Sequence, residues 1–238
     1  MTVRRLVLIP AYNEAASLPA VVAALRLHLP GADILVVDDA SEDGTAALLP
    51  QLAVRWIRLP QRLGTGAAVR TGLRYAATLG CDVVIRIDGD GQHPPEEIHR
   101  LLAPLEAGDC DVVIGSRYAE GRPDWTPPAR RLLHRTLGNV LTLVTGRRIT
   151  DPTSGFWAFG SRALHLLVDH HPSGYPEPEL LLFLSRNALR VLEVPVAMRS
   201  RTAGQTSLTP QRIWGAMARL LLVLVVVPLR AAVGSNRE

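Results

Sequence analysis

The sequence predicts an α/β protein whose mainly parallel sheet is flanked by helices. Short apolar runs of strand length alternate with segments of helical periodicity, and glycine, proline or acidic residues separate them. Repeated β-α-β units of this length form parallel sheets covered by helices. A chain of 238 residues, 47% of them hydrophobic, fits one such domain, or one domain with a tail.

The first half of the chain supplies five strands, and a helical segment follows most of them. We predict that Ser17 is the N-cap of the first helix and that Gly80 ends the helix that follows the third strand. Pro94 and Pro95 mark the start of another helix. We predict strands at 6–9, 34–37, 54–59, 83–87 and 112–114, and helices within 17–29, 41–52, 64–80 and 93–108.

The second half is less regular. We predict a polar loop over 117–128, a helix over 129–144, a turn-rich segment over 149–160, a helix over 177–187 and a strand over 191–198. A polar loop over 199–207 then leads to a C-terminal apolar and basic helix that begins at Gln211.

The C-terminal helix leaves three interpretations open. Its stretch 213–229 is apolar except for Arg219, and it is shorter than the roughly 20 residues of a membrane-spanning helix. Trp214 and the flanking arginines are typical of a helix lying in a membrane interface. The same segment can instead pack on protein or form a truncated span.

Composition bounds the compartment and the partners. The net charge is +4, and every fixed basic side chain is arginine, which reflects either codon bias or contact with phosphate or lipid. Cys81 and Cys110 lack metal-ligand spacing, so we expect buried thiols in a reducing compartment. The N-terminal apolar run 6–9 is too short for a signal peptide, and we expect a cytoplasmic protein.

Acidic residues stand at the ends of two predicted strands, where open α/β sheets bind ligands. If the backbone stays extended beyond Ile87, Asp88 and Asp90 face the same side. Two such carboxylates repel unless a cation lies between them, and Mg²⁺ or Mn²⁺ prefers oxygen ligands together with nucleotide phosphates. Gln92 adds a neutral oxygen. The alternative is a solvated acidic turn.

Three motifs follow one another along the chain, at the first, second and fourth predicted strands: "LIPAYNEAASL", "VVDDASEDGT" and "IDGDGQHPPEE". Over about residues 4–208 the chain resembles the family 2 inverting glycosyltransferases, which have the Rossmann-like GT-A fold. Within that family it is similar to the polyprenyl-phosphate (dolichol-phosphate) mannosyl- and glucosyltransferases, through "LGTGAAVRTGL", "VVIGSRY", "DPTSGFWAF" and "EVPVAMRSRTAGQTSL". It departs where dolichol-phosphate mannosyltransferases read G-x-S-K, because "GQTSL" has no lysine.

The resemblance implies a donor site. The base and ribose pocket would be lined by Pro10, Ala11, Tyr12 and Glu14. Asp39 would meet the base edge or the ribose, Gly64 would let the backbone approach the nucleotide, and Arg70 would balance charge. Asp88 and Asp90 would hold the donor diphosphate through Mg²⁺ or Mn²⁺, with Gln92 as a further ligand. Local alternatives remain: Tyr12 packs, Asp39 caps the 41–52 segment, and Gly64 only forms a turn.

The resemblance also implies an acceptor side. Arg117 would lie near the acceptor phosphate and Arg201 over the donor phosphates. Asp90, Arg117, Glu179 and Arg201 are thus the candidate catalytic residues. Glu179 is either a general base, which a hydroxyl acceptor requires, or a favourable acid at a helix N-terminus. Arg117 is otherwise a surface residue.

The implied activity is metal-dependent transfer of a hexose from a GDP- or UDP-sugar to polyprenyl phosphate. Residues 1–208 would be the catalytic domain and 209–238 the apolar tail. The tail would contact a membrane surface, a small membrane protein or a second copy, with the protein peripheral on the cytoplasmic face; no nucleic-acid partner is expected. The alternatives are a hydroxyl acceptor, a nucleotidyltransferase, or a noncatalytic nucleotide-sugar-binding subunit.

Overall fold

The computed structural model describes residues 3–119, 128–170 and 176–199. Seven strands lie in this part of the chain: β1 Arg5–Ala11, β2 Asp33–Asp38, β3 Arg55–Arg58, β4 Val83–Arg86, β5 Val112–Ser116, β6 Trp157–Gly160 and β7 Val191–Pro195. The described α-helices are α1 Leu18–His28, α2 Thr45–Leu48, α3 Thr65–Thr78, α4 Ile98–Glu106, α5 Pro128–Thr145, α6 Ser161–His170 and α7 Pro176–Arg186. Short 3-10 turns cover Leu49–Leu52 and Pro95–Glu97.

The strands form one sheet in the order β3-β2-β1-β4-β6-β5-β7. Every neighbouring pair is parallel except the two that involve β6, which runs antiparallel to both β4 and β5. The predicted mainly parallel α/β architecture is confirmed. Strand β1 lies between β2 and β4, so β2 and β3 extend the sheet on one side of β1 and the later strands extend it on the other. Such a reversal of strand order is a topological switch point, and ligands bind there at the carboxyl ends of the strands.

Helices cover both faces of this sheet. On one face Val7 and Ile9 of β1 belong to a buried cluster with Val22 of α1 and Leu101 of α4. On the other face α3 lies so close to β1 that a Cβ added at Gly72 would be 2.1 Å from the Leu8 side chain. Burial on both faces is the reason why the inner strands are apolar runs instead of alternating patterns.

Two elements differ from the sequence-based prediction. The segment 149–160, expected to be turns, contains β6, a four-residue strand held between β4 and β5 by long-range pairing instead of by local propensity. The second is α6, for which the sequence analysis predicts no element, although its residues Ala163, Leu164 and Leu167 are buried and have helical spacing. The helix expected over 93–108 begins as the 3-10 turn at Pro95 and continues as α4.

Several predictions concern residues outside the ranges that the structure describes. The loop and helix predicted after Arg199, with Arg201, lie outside the described residues, as does most of the predicted loop 117–128. Within the described ranges, no helix has both the length and the apolar character to cross a membrane.

Candidate active site

The aspartate turn, residues 88–92, follows β4 at the carboxyl edge of the sheet. The expectation of an extended backbone past Ile87 is wrong, because the strand ends at Arg86 and the chain turns at Gly89 and Asp90. Gly91 has φ +77°, a left-handed conformation that favours glycine. The turn, and not strand alternation, therefore brings the two carboxylates to this edge.

His93 and Gln92 hold the aspartate turn in place. The Asp88 backbone N–H donates to His93 Nδ1 over 2.9 Å, and the Gln92 N–H donates to Asp90 Oδ1 over 3.0 Å. Burial lowers the pKa of His93, whose ring stacks on Phe156 with centroids 5.2 Å apart. Because Nδ1 accepts this hydrogen bond, it carries no proton, and His93 is a neutral ring. The packed ring fixes the backbone of Asp88.

The Asp88 carboxylate lies against the segment that enters β6. A Cβ added at Gly155 would come within 2.5 Å of Asp88 Oδ2, so a side chain at this position would displace the carboxylate. Its other oxygen, Oδ1, is 3.5 Å from Nη2 of the buried Arg86. Asp88 is partly exposed, at 35% of its side chain, whereas Asp90 is 2% exposed as a residue. One carboxylate is thus accessible at the turn, and the second is held beneath the surface.

The predicted base and ribose residues lie beside this turn. Pro10 and Ala11 are buried at the end of β1. The Arg62 guanidinium carbon is 3.9 Å from the centroid of the Tyr12 ring, so Tyr12 presents its face to a cation instead of packing in the core. Glu14 accepts the Ser17 hydroxyl over 2.8 Å.

Glu14 also contacts the aspartate turn. A Cβ added at Gly89 would be 3.3 Å from Glu14 Cγ, which places the β1–α1 loop directly against the turn. The Asp39 backbone N–H donates to the Ala11 carbonyl over 2.8 Å, so the loops after β1 and β2 are joined as well. The structure therefore brings Pro10, Ala11, Tyr12, Glu14 and Asp39 together with the aspartate turn at one edge.

Asp39 organises the glycine-rich segment that begins α3. Its two carboxylate oxygens accept the N–H groups of Leu63 and Gly64 over 2.7 and 2.8 Å. Gly64 has φ +92°, which favours glycine at this helix start. The alternative in which Asp39 caps the 41–52 segment is wrong, because Asp38 accepts the Ser41 N–H there.

Arg117 follows β5 and is not a surface residue. Its Nε and Nη2 bind both oxygens of Asp151 over 2.8 and 2.9 Å, and Nη2 also reaches Thr153 Oγ1 at 3.2 Å. Burial disfavours both charges, but the pairing outweighs it, raising the pKa of Arg117 and lowering that of Asp151. The pair is therefore a charged, bidentate contact between β5 and the "DPT" turn.

Glu193 of β7 holds the other side of that turn. It accepts the Thr150 N–H and hydroxyl over 2.8 and 2.6 Å and the Asp151 N–H over 3.1 Å. Burial raises the pKa of Glu193 despite these bonds. The sequence analysis missed both Asp151 and Glu193; their signals were their places in the "DPTSGFWAF" and "EVPVAMRS" stretches.

A basic cleft of about 330 Å³ opens beside the Arg117–Asp151 pair. Three of its side chains are arginines, and no carboxylate is among the residues that line it. Two contacts join the cleft to the pair's surroundings: the Arg117 guanidinium carbon is 5.6 Å from the centroid of the Tyr118 ring, and Thr153 Oγ1 is 3.4 Å from His134 Nε2. The lining residues are Tyr118, Arg131, His134, Arg135, Asn139, Thr142, Arg148, Ile149 and Thr150. The sequence analysis did not single out these arginines, although they lie in and just after the predicted helix 129–144.

Two predicted residues are not joined to this site by any described contact. Arg70 is half-buried in the middle of α3, and Glu179 is half-buried in the first turn of α7, where an acid is favourable. Arg201 lies outside the described residues.

Comparison with solved structures identifies the fold. The crystal structure of glucosyl-3-phosphoglycerate synthase from Mycobacterium tuberculosis, in complex with Mn²⁺, UDP and phosphoglyceric acid, superimposes with a TM-score of 0.70. The match covers 94% of this chain and 78% of that chain at 21% identity. The fold is that of the GT-A glycosyltransferases.

Comparison of sequences identifies the family. The profile of Glycosyl transferase family 2 matches residues 6–167. A polyprenol monophosphomannose synthase from Mycolicibacterium smegmatis is 36% identical over 231 residues, covering 92% of this chain and 86% of that protein. An undecaprenyl-phosphate mannosyltransferase from Micrococcus luteus is 32% identical over 219 residues, covering 87% and 88%. The chain belongs to glycosyl transferase family 2 and is a glycosyltransferase.

Proposed function

We propose that this glycosyltransferase moves a hexose, with inversion, from a GDP- or UDP-sugar to a polyprenyl phosphate. The observation that carries the proposal is the basic cleft beside the Arg117–Asp151 pair, at the same sheet edge as the aspartate turn. The names of the two curated relatives support the acceptor class, and both relatives are mannose enzymes. Mannose is therefore the first sugar to test.

The aspartate turn fits a divalent metal. Asp88, Asp90 and Gln92 offer oxygen ligands of the kind that Mg²⁺ and Mn²⁺ bind, and Gly155 leaves space at the Asp88 carboxylate. Among the described residues no group of three or more His, Cys, Asp or Glu side chains could hold a metal. We infer that the donor diphosphate completes the ligand set. The metal, when bound, would stabilise the charge that develops on the leaving nucleoside diphosphate.

The rest of the donor would lie on the residues around the turn. Tyr12, Glu14 and Asp39 border the place for base and ribose, and the backbone at Gly64, held by Asp39, lies at the start of α3. That helix start offers unpaired N–H groups and a positive dipole to phosphate. Arg70 and Arg201 remain part of the proposal as further sources of positive charge.

The acceptor end of the site favours a phosphate over a hydroxyl. A phosphate is already ionised and needs placement only, whereas a hydroxyl needs a general base. The basic cleft offers arginines and no carboxylate, and no described contact connects Glu179 to it. Arg117 precedes Tyr118 of the cleft in sequence, and its charge is oriented by Asp151. This arrangement supports polyprenyl phosphate and gives Glu179 the role of a helix-terminal acid.

The deciding experiment offers the full-length enzyme two matched acceptors. Undecaprenyl phosphate and undecaprenol differ only in the phosphate, and each is incubated with GDP-mannose, UDP-glucose or UDP-N-acetylglucosamine in Mn²⁺ or Mg²⁺. We expect a phosphodiester-linked lipid product, of inverted anomeric configuration, from the phosphate acceptor only. Transfer to undecaprenol would support a hydroxyl acceptor, and donor binding without turnover would support a noncatalytic binding subunit.

We also propose that residues 209–238 bring the enzyme to the cytoplasmic face of the membrane. The segment combines Trp214, an apolar stretch and arginines without acids between residues 199 and 237. Flotation of the full-length protein with anionic and neutral vesicles tests this. Binding that needs anionic lipid and weakens in the Trp214→Ala variant is expected; a partner protein or self-association through the segment would instead give vesicle-independent complexes.

A further inference from the structure

Arg86 is a buried charge in the middle of the sheet. It is the last residue of β4 and is 1% exposed. Its neighbours in register are Leu8 on β1 and Trp157 on β6, both of them buried. Burial of a guanidinium among apolar side chains is costly unless a carboxylate offsets it. The sequence analysis assigned Arg86 no role.

Arg86 forms an ion pair with the aspartate turn. Its Nη2 is 3.5 Å from Asp88 Oδ1. Two further arginines of the described ranges have acidic partners elsewhere, since Arg117 pairs with Asp151 and Arg199 with Glu96. The aspartate turn therefore has a buried positive charge of the fold, that of Arg86, directly beside one of its carboxylates.

We propose that Arg86 is a built-in counter-cation that couples the binding of the metal to the binding of the nucleotide sugar. Its positive charge repels a free divalent ion and attracts a diphosphate. The aspartate turn alone therefore holds a free metal weakly, and metal and nucleotide sugar enter the site together. The inference rests on the proposed function, because it assumes that the turn binds a metal with the donor.

The test replaces the charge and measures each ligand separately. In Arg86→Met the apolar side chain suits the surroundings formed by Leu8 and Trp157, and in Arg86→Lys the charge is kept. Binding of Mn²⁺ alone is measured on the full-length protein by electron paramagnetic resonance. Binding of GDP and of UDP in EDTA is measured by calorimetry. If Arg86→Met does not fold, as judged by thermal denaturation, Arg86→Gln provides the same charge comparison.

The two affinities should move in opposite directions. We expect Arg86→Met to bind Mn²⁺ alone on the order of tenfold more tightly, and nucleotide alone several-fold more weakly, with Arg86→Lys close to wild type. A merely structural role would weaken both, and that result would overturn the inference, as would unchanged Mn²⁺ affinity in a folded variant. If the wild type binds no Mn²⁺ even with GDP or UDP, the metal site itself fails. If it binds Mn²⁺ with nucleotide but Arg86→Met does not change Mn²⁺ binding, only the role of Arg86 fails.

Discussion

At the scale of single residues, the site is built from acids that each already have a structural partner. Asp39 holds the glycine-rich backbone, Asp90 accepts an N–H within its own turn, and Asp151 holds Arg117. Asp88 differs in having a partly exposed carboxylate beside a glycine. This difference supports the proposal that Asp88 is the carboxylate that contacts the metal.

The first prediction concerns Asp88. Asp88→Asn removes a charged oxygen ligand, and we expect it to abolish Mn²⁺-dependent binding of the donor because the amide cannot replace a carboxylate for a hard cation. Calorimetry with GDP- and UDP-sugars, with and without Mn²⁺, measures this. Asp109→Asn, at an exposed acid in the loop before β5, is the matched control. Full metal-dependent binding in Asp88→Asn would refute the assignment.

A second residue-scale prediction concerns the buried pair of Arg117 and Asp151. Their side chains are 8% and 0% exposed, so Asp151→Asn leaves a buried guanidinium without its counter-charge. We expect the free energy of unfolding to fall by about 3–5 kcal/mol. Urea denaturation at pH 7 gives the value, and the double variant Arg117→Met, Asp151→Leu should recover part of it. Equal stability of the single variant and the wild type would contradict the pairing.

The same pair predicts a pH dependence. Arg117 holds the pKa of Asp151 below its ordinary value against the effect of burial. The stabilisation is complete above the unfolded-state pKa of about 3.9 and is lost as the pH falls through the lower, folded-state pKa. We therefore expect stability to decline below about pH 4 and to decline less steeply in Asp151→Asn. Parallel acid limbs for the two proteins would show that other groups dominate.

At the scale of elements, the antiparallel strand β6 completes the site. It lies between β4 and β5, so the segment that enters it, with Gly155 and Phe156, runs past the end of β4. Gly155 adjoins the Asp88 carboxylate, and Phe156 stacks on His93. A strand that reverses direction thus brings a loop against the aspartate turn that a parallel strand would have carried to the opposite edge.

A prediction for Gly155 follows from that contact. Gly155→Ala would place a methyl group within 2.5 Å of Asp88 Oδ2, so the carboxylate must move. We expect at least tenfold weaker metal-dependent donor binding, on the reasoning that displacement of a ligand by about 1 Å is enough to impair a site. Calorimetry measures the affinity, and thermal denaturation shows that the fold is kept. Gly44→Ala is the matched control, because its added Cβ is 3.7 Å from the nearest atom; similar losses in both variants would refute the specific effect.

At the scale of the whole molecule, the proposed donor and acceptor regions share one edge of the sheet. The proposed donor residues follow β1, β2 and β4, and the Arg117–Asp151 pair and the basic cleft lie beyond β5 and β7. The charge is correspondingly divided, with acids at the aspartate turn and arginines in the cleft. The division predicts that substitutions in the cleft affect one substrate only.

A prediction for the cleft uses Arg148. Arg148→Met should raise KM for undecaprenyl phosphate about three- to tenfold, since one exposed positive charge is lost near a phosphate, and should leave the donor affinity unchanged. Steady-state kinetics with each substrate varied in turn measure both quantities. Arg186→Met, at an exposed arginine in the last turn of α7, is the control. An equal change in KM for the donor would show that the cleft does not belong to the acceptor alone.

Much of the fold and the donor side follows from local sequence. Apolar runs of strand length predict β1 to β5, and acids directly after β2 and β4 predict a polar edge, because strand ends and turn residues are encoded over a few neighbours. The motif order also predicts the family. These features depend on near neighbours along the chain, so no tertiary information is needed to read them.

Tertiary structure alone decided the rest. The pairing of β6 between β4 and β5, the contact of Gly155 with Asp88, the position of Arg86 between Leu8 and Trp157, and the bidentate link of Arg117 to Asp151 join residues far apart in sequence. Even the aspartate turn departs from the extended backbone that alternation predicts. The sequence by itself determined which residue types stand at the ends of the strands. Only packing between distant segments decided which of them meet, since such contacts depend on sheet order and close approach, which leave no periodic trace along the chain.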